Sequence, residues 1–541
     1  MKRRPHLALD SYKLGHIDQY PKGTEYVYSN FTARSLTHAR MPSTFDGKVV
    51  FTGLQGFTME FLIEEWNEGF FQRPKAEVVA EYKRRCDAFL GPDSVRVDHI
   101  AALHDLGYLP IVIKALDEGS RVDIKVPFLT IRNTHPAFFW LTNYLETVLS
   151  CELWKPITVG TIAFEYRRLI NKYATLTGSD PMFVNWQAHD FSMRGMSGRA
   201  DSAKCGAAHL MCAGSGTDAL LAIDYLEDYY GADVTKELVA GSVPATEHSV
   251  MCMGGKEDEV GTFRRLITET YPSGIVSIVS DTWDFWAVIT RFTKLLKAEI
   301  LARKEDAFGN AKVVFRPDSG DPVKILTGLK VKEITDLHVG ECVAWEFEDD
   351  YDAVKYEGKF YEFDASSSDT LRLGKEIPEH VVKGAVECLW DEFGGTVTDK
   401  GFKTIDRHVG LIYGDSITLE RCETILQRLM DKGFSAGNVV FGIGSYTYQY
   451  ITRDTFGMAV KATWGIVNGE ERDIQKDPAT DSGSKKSAKG LLRVEKEGDN
   501  FVLYDCQRPF QEESGQLKEV FRDGKVVNFQ TFAEIKQRLH G

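Results

Sequence analysis

The chain has no basic excess, no paired-cysteine motif and no apolar run long enough to cross a bilayer, and each lack removes a class of function. Lys and Arg number 65 against 79 Asp and Glu, a formal net charge of −14. Non-specific nucleic-acid binding needs a strongly basic surface, so no nucleic-acid partner is expected. An anionic small ligand stays open, because a few local Arg and Lys can reverse the sign inside a pocket. The nine Cys are odd in number and include no C-x-x-C pair. That argues against a complete disulfide framework and for a reducing, cytoplasmic setting. The start Met1-Lys2-Arg3-Arg4 is basic, but Asp10 soon cuts the apolar stretch, so it does not read as a secretory leader. No run approaches the roughly 18 apolar residues of a membrane span, and no membrane partner is expected. There is no H-E-x-x-H, no Gly-Lys-Ser/Thr phosphate loop and no full G-x-S-x-G elbow, which Gly414-Asp415-Ser416-Ile417-Thr418 only approaches.

What is present is core material in quantity. Of 541 residues, 43% are apolar and 27% charged, which suits a globular chain too long for one hydrophobic core. The clearest pattern is a short apolar run that stops abruptly in polar residues. Val313-Val314-Phe315 runs into Arg316-Pro317-Asp318-Ser319-Gly320. Val276-Ser277-Ile278-Val279 runs into Ser280-Asp281, Val409–Tyr413 into Gly414-Asp415-Ser416, and Val439-Val440-Phe441 into Gly442-Ile443-Gly444-Ser445. Buried parallel strands look like this when they deliver side chains to a site at their C-terminal ends. Four such ends suggest a single ligand carrying phosphates and hydroxyls.

From about 156 to 454 these runs alternate with helical segments near 161–176, 217–230, 282–303 and 417–432. The alternation implies an α/β unit with a parallel sheet, either open or closed as a barrel, and spacing does not choose. Phe183-Val184-Asn185-Trp186 reads as one more strand. Residues 331–405 alternate apolar with acidic, as in Trp345–Asp350 and Lys359–Phe363, and read as an inserted subdomain built on an antiparallel hairpin. Residues 473–490 read as a flexible basic loop.

Several short motifs admit a functional and a bland reading. Gly214-Ser215-Gly216-Thr217-Asp218-Ala219 fits G-x-G-x-x-A, yet no acidic partner ends a clear second strand, so a dinucleotide site is disfavoured. Thr217 or Asp218 is expected instead to cap the helix from 219, with Asp218 projecting into a site. Glu247-His248 places an acid beside a histidine. Phe191 and Arg194 can present a ring and a guanidinium to a flat aromatic ligand, or be a core ring and a surface ion pair. Gly444 and Ser445 can offer backbone N–H groups to a phosphate, with Arg453 following.

Taken together the motifs resemble the nicotinamide phosphoribosyltransferase family. The likeness runs through Asp10-Ser11-Tyr12-Lys13, His16, Gln19-Tyr20-Pro21, Trp140–Asn143, His189-Asp190-Phe191, Arg194-Gly195 and Gly216-Thr217-Asp218. It continues through Ser242–Ala245, Glu247-His248-Ser249, Ser280-Asp281, Arg316–Gly320, Gly414-Asp415, Thr452-Arg453-Asp454 and Lys476-Asp477-Pro478. The order matches over nearly the whole chain. The resemblance implies an irregular α/β barrel-like phosphoribosyltransferase domain at 156–454. It also implies a β-rich flanking domain built from both chain ends, 1–155 and 455–541. The implied reaction joins nicotinamide to phosphoribosyl pyrophosphate with Mg²⁺, giving nicotinamide mononucleotide and pyrophosphate for NAD biosynthesis, in a homodimer with shared active sites. By resemblance Phe191 and Tyr12 sandwich the ring, Tyr12 coming from the other subunit. Asp218 accepts from the carboxamide, while Arg194, Arg316 and Ser277 line the pocket. Asp318 holds ribose hydroxyls. Gly414, Asp415, Gly444, Ser445 and Arg453 surround the phosphate. Lys461, Lys476 and Lys485 meet pyrophosphate or a nucleotide. Asp281 is an implied Mg²⁺ ligand. His248 is the implied site of phosphorylation by ATP as an activator. The competing expectations are transfer to nicotinate, a non-catalytic nucleotide-binding protein on the same scaffold, and a dinucleotide-dependent oxidoreductase. Gly410 in place of an Arg, Ser445-Tyr446 after the glycine run, and a long 331–405 segment depart from the family pattern.

Overall fold

The computed structural model describes residues 3–339, 347, 350–365, 370–414, 416–475 and 488–541. Asp415, Lys476 and Lys485, most of the 345–350 half of the expected hairpin, and the heart of the expected basic loop lie outside these residues.

Five strands form a parallel sheet in the order Ala188–Asp190, Val439–Ile443, Val409–Tyr413, Val313–Arg316, Val276–Val279. Isolated parallel bridges close it. Ser277 bridges Ala245, Gly241 bridges Gly216, and Thr217 bridges Asp190. The ring is therefore an irregular barrel, closed on one side by segments too short to count as strands. All its members run the same way, so their C-terminal ends gather at one mouth. The strands are mainly apolar because most of their side chains are buried, as parallel sheets require, with His189, Asp190, Ser277 and Arg316 the polar exceptions.

A seven-stranded antiparallel sheet flanks the barrel. Its order is Glu470–Asp473, Ala459–Val467, Thr24–Thr32, Pro127–Asn133, Ile111–Ala115, Lys518–Arg522, Lys525–Val526. Both ends of the chain thus contribute to one sheet. The 32-residue helix Glu146–Thr177 joins the two cores. Leu149, Leu153 and Ile157 pack into the flanking core, while Val159, Tyr166 and Ile170 pack into the barrel core. Pro156 lies within this helix, near the changeover.

Two local expectations are corrected. Val184–Gln187 is a helical turn, and the strand begins only at Ala188. Asp180 causes the delay. Its side chain accepts from Met182 N at 2.9 Å and its carbonyl from Phe183 N at 3.1 Å, which winds the chain before the strand starts. The helix Leu220–Tyr230 has Ala219 at its N-cap with no side-chain cap bond. Thr217 instead accepts from Ala219 N at 3.0 Å and donates to Asp190 Oδ2 at 3.2 Å. Within the 331–405 segment, Lys359–Asp364 pairs antiparallel with Ala353–Tyr356 and with Arg372–Ile377. Residues Ile334 to Leu373 carry a small core of their own, whereas Ala385, Val386 and Leu389 pack in the barrel core.

Candidate active site at the barrel mouth

The turns after the strands bring most of the expected residues together. Phe191 follows its strand directly, and its backbone N–H donates to Ile443 O at 3.0 Å. Its ring lies 4.6 Å from that of His189. Arg194 stands on the tight turn Met193–Gly195, which Gln449 ties to the Ser445–Gln449 helix by donating to Gly195 O at 3.0 Å. Gly444 and Ser445 thereby sit beside the Arg194 turn.

Asp218 is held at the mouth by two donors. Its Oδ1 accepts from His189 Nε2 at 2.9 Å and from Ser242 Oγ at 2.5 Å. Partial burial pushes its pKa up, but these two donors and the Arg316 charge outweigh that and hold it below the usual carboxylate value. Asp218 is therefore an anion at neutral pH.

Arg316, at the end of its strand, donates from Nη2 to Thr246 O at 2.7 Å. Burial lowers its pKa, against the pull of Asp318, Asp218 and Asp281. Its Nε is buried with no partner. Asp318 follows two residues on, and a Cβ at Gly414 would lie 2.3 Å from Asp318 Oδ1. Only glycine lets that strand end approach so closely. Asp281 Oδ2 accepts from Asp318 N at 2.9 Å and Ser319 Oγ at 2.6 Å. The same carboxylate, 5% exposed, holds Oδ1 3.9 Å from His248 Nε2. That Oδ1 has no hydrogen-bond partner, nor does the buried Oγ of Ser277, which lies deeper in the barrel, level with Gly410. His248 opens the short helix His248–Gly254 and its Nδ1 contacts Thr282 Oγ1 at 3.1 Å. Buried charged and polar atoms left unmatched in a cleft mark where a polar ligand binds.

Three expected residues belong elsewhere. Tyr12 is 59% exposed beside His16 and Lys13, on the flanking half. Lys461 lies on the flanking strand Ala459–Val467, opposite Asn30. Arg453 stands on the turn Arg453–Thr455 where the chain leaves the barrel, donating to Asp454 at 3.1 Å. Gly410 sits near the start of its strand, at the end away from the mouth.

Some participants carry no role assigned from sequence, although His189, Ser242 and Ser319 lie within its motifs. His189, Ser242, Thr246 and Ser319 all hold site residues in place. Their signal was proximity to a strand end. Arg34 lies beside Arg453 and away from the mouth, its backbone N–H donating to Phe456 O, and burial first and the Arg453 charge second lower its pKa. Its Nε donates to Gly457 O at 2.9 Å.

Residues 186–525 match the nicotinate phosphoribosyltransferase (NAPRTase) family, and residues 6–80 match the nicotinamide phosphoribosyltransferase N-terminal domain. A protein of Acinetobacter baylyi named nicotinamide phosphoribosyltransferase is 57% identical over 532 residues, 98% of this chain and 96% of its own length. The chain belongs to the nicotinamide phosphoribosyltransferase family. A more distant relative of the same name, from Mycoplasma pneumoniae, is 31% identical over 88% of this chain and 92% of its own. The solved structure of a nicotinate-nucleotide pyrophosphorylase from Pyrococcus furiosus shares the fold, with a TM-score of 0.51 at 13% identity over 99% of this chain and 94% of its own. Among the described residues no helix is long and apolar enough to cross a membrane.

Proposed function

We propose that the protein transfers the phosphoribosyl group of phosphoribosyl pyrophosphate to nicotinamide, releasing pyrophosphate. One observation carries the choice of base. An ionised carboxylate, Asp218, is joined through a single histidine to an aromatic face, Phe191. A carboxamide donates to that carboxylate, whereas the carboxylate of nicotinate is repelled by it.

The chemistry asks little of a base. The pyridine nitrogen already carries its lone pair, so no proton need be removed before attack. The protein must hold the ring over the anomeric carbon and stabilise the departing pyrophosphate. Phe191 gives the platform, and Tyr12 of a second copy closes it from above. Asp318 takes ribose hydroxyls, and Arg316 and Arg194 line the wall. Backbone N–H groups at Gly444 and Ser445 face the phosphate, and Gly414, whose own N–H is donated to Pro317 O, lets the chain pass close to it. Arg453 and Lys461, which stand away from the mouth within one chain, join the set on sequence grounds. Asp415, Lys476 and Lys485 join this set on sequence grounds alone.

Mg²⁺ fits the mouth in the way it usually binds, through one or two carboxylates plus substrate phosphates. The unmatched Oδ1 of Asp281 is the group suited to hold it. When bound, the ion would neutralise developing charge on pyrophosphate. His248 directs Nε2 towards the same carboxylate, which supports phosphorylation there by ATP as an activating step. A homodimer with shared sites and a cytoplasmic location complete the reading.

The test is incubation with Mg²⁺, phosphoribosyl pyrophosphate and either base, with both mononucleotides quantified. Nicotinamide mononucleotide is the expected product, and Asp218→Ala should cut nicotinamide use about a hundredfold while barely changing nicotinate use. Equal losses with both bases would refute the assignment of Asp218. Nicotinate mononucleotide as the main product would reverse the choice of base.

A further inference from the structure

Asp218 is held in an uneven way. Both of its side-chain partners, His189 Nε2 at 2.9 Å and Ser242 Oγ at 2.5 Å, donate to the same oxygen, Oδ1. Among the described residues no donor is assigned to Oδ2. A carboxylate accepts at both oxygens, so one is committed to the protein and the other is left for a ligand. Only an N–H can face a carboxylate, so His189 carries its proton on Nε2.

The same imidazole has a second contact. Its ring packs 4.6 Å from Phe191 at a 44° tilt. His189 is 7% exposed and sits on the strand Ala188–Asp190, so it has little room to turn. The neighbouring segment presses on it from behind. A Cβ at Gly216 would lie 2.8 Å from His189 Nδ1, a separation that real Cβ atoms do not adopt. The backbone of Asp218 is fixed separately, its N–H donating to Asp190 O at 3.0 Å. Among the described residues, His189 and Ser242 are the hydrogen-bond partners that set the side-chain direction of Asp218.

We propose that His189 and Ser242 are positioning residues that set base selectivity, by pinning Asp218 through Oδ1 while His189 buttresses Phe191, so that acceptor and platform keep one separation. This rests on the reading that Asp218 accepts the carboxamide. Neither residue touches the reacting atoms. Their effect is on which base fits, not on how fast the glycosidic bond forms.

Two functions of one ring can be separated. His189→Phe keeps a ring against Phe191 but removes the donor. His189→Gln keeps an N–H donor but removes the ring. Ser242→Ala removes the second donor at an exposed position with little risk to folding, and Ser242→Thr restores a hydroxyl. The readout is kcat/KM for nicotinamide divided by that for nicotinate, with KM for phosphoribosyl pyrophosphate as the internal reference. His189→Phe and Ser242→Ala should each lower the ratio about tenfold, the scale of one hydrogen bond to a charged group. Ser242→Thr should restore it. His189→Gln should hold the ratio within about threefold while raising KM for both bases, as expected for loss of ring packing. In every case KM for phosphoribosyl pyrophosphate should stay within about twofold, a much smaller change than loss of one charged hydrogen bond produces. If His189→Phe does not fold, Ser242→Ala and Ser242→Thr decide. An unchanged ratio in Ser242→Ala overturns the proposal, as does an unchanged ratio in folded His189→Phe. Asp218→Ala distinguishes the two levels. If it collapses the ratio and the donor variants do not, only the positioning claim falls. If it too leaves the ratio unchanged, the reading of Asp218 itself falls.

Discussion

In the barrel, neighbouring strands run parallel and their ends carry charged groups left partly unmatched; in the flanking sheet, neighbours run antiparallel and charges are paired. At the mouth, buried atoms of Asp281 and Arg316 lack partners, and the unmatched Oγ of Ser277 lies deeper in the barrel, level with Gly410. On the flanking side, Lys114 and Glu512 are each 6% exposed and meet at 2.8 Å. Lys13, 2% exposed, meets Glu146 at 2.9 Å. The unmatched atoms on the flanking side include neutral ring atoms of His6, His99 and Trp140 and the Nε of Arg121 and Arg493, but both guanidiniums are paired through another nitrogen, with Asp46 and Glu495. Leaving a charge unmatched costs far more than leaving a neutral ring atom so. Where a fold keeps such charges, a ligand is the natural partner. The flanking half instead uses buried pairs to lock distant segments of chain into one sheet.

The largest effect should come from breaking the mouth while keeping the flanking half. Asp318→Ala should lower kcat/KM by about a thousandfold with little loss of stability. Tyr12→Ala should also inactivate, from the other side of the comparison. Mixed as heterodimers, the two variants should regain activity at one of the two mouths. No recovery after verified subunit exchange would mean that Tyr12 does not serve a neighbour's site.

Stability variants in the shared helix sharpen the contrast. Leu153 faces the flanking core and Ile170 the barrel core, both 0% exposed. Alanine at either position should cost about 3 kcal/mol. If the helix couples the cores, both variants lower a single thermal transition. Two transitions, with one variant moving each, would show that the cores unfold separately.

Acid should weaken both cores, the barrel side through His209 and His540, whose burial lowers their pKa, and the flanking core through His6 and His99. Burial holds the imidazoles of His6 and His99 at about 4, against an ordinary 6.5. Both rings are therefore neutral when folded, and the unfolded chain takes up protons first. Their contribution is fully present above pH 6.5 and is lost as pH falls from there towards 4. The upper bound is about 3 kcal/mol for each ring. Denaturant melts across this range should show the slope, and His99→Phe should flatten it. An unchanged slope would place the acid sensitivity elsewhere.

The smallest effect should come from the inserted segment. Asp352 pairs with Lys324 at 2.9 Å and Arg428 at 3.1 Å, fastening the insert to two barrel helices. Asp352→Asn should cost about 1 kcal/mol and change kcat/KM by less than about twofold. A larger catalytic effect would tie the insert to the mouth.

Much of this was legible in the sequence. The runs ending at Ser280-Asp281, Arg316–Gly320, Gly414 and Gly444-Ser445 announce strand ends, because a doubly buried strand must be apolar until it reaches the site. The Phe183–Trp186 run misled, since helical turns and strands share short apolar patterns and the hydrogen bonds of Asp180 decided between them. The Thr217 cap misled because the helix begins at Leu220, later than the spacing suggests, so the Thr217 hydroxyl accepts from Ala219 N, the N-cap residue, and not from the first turn.

By itself the sequence determined the strand and helix content, the polar strand ends and the family pattern, since these depend on local periodicity and on residue identity. Only the tertiary structure decided that the sheet closes. The closing bridges at Gly216, Gly241 and Ala245 are single contacts with no periodicity to read. It alone decided that His189 and Ser242 share one oxygen of Asp218, because a hydrogen bond between separate strand ends leaves no mark on the spacing of either.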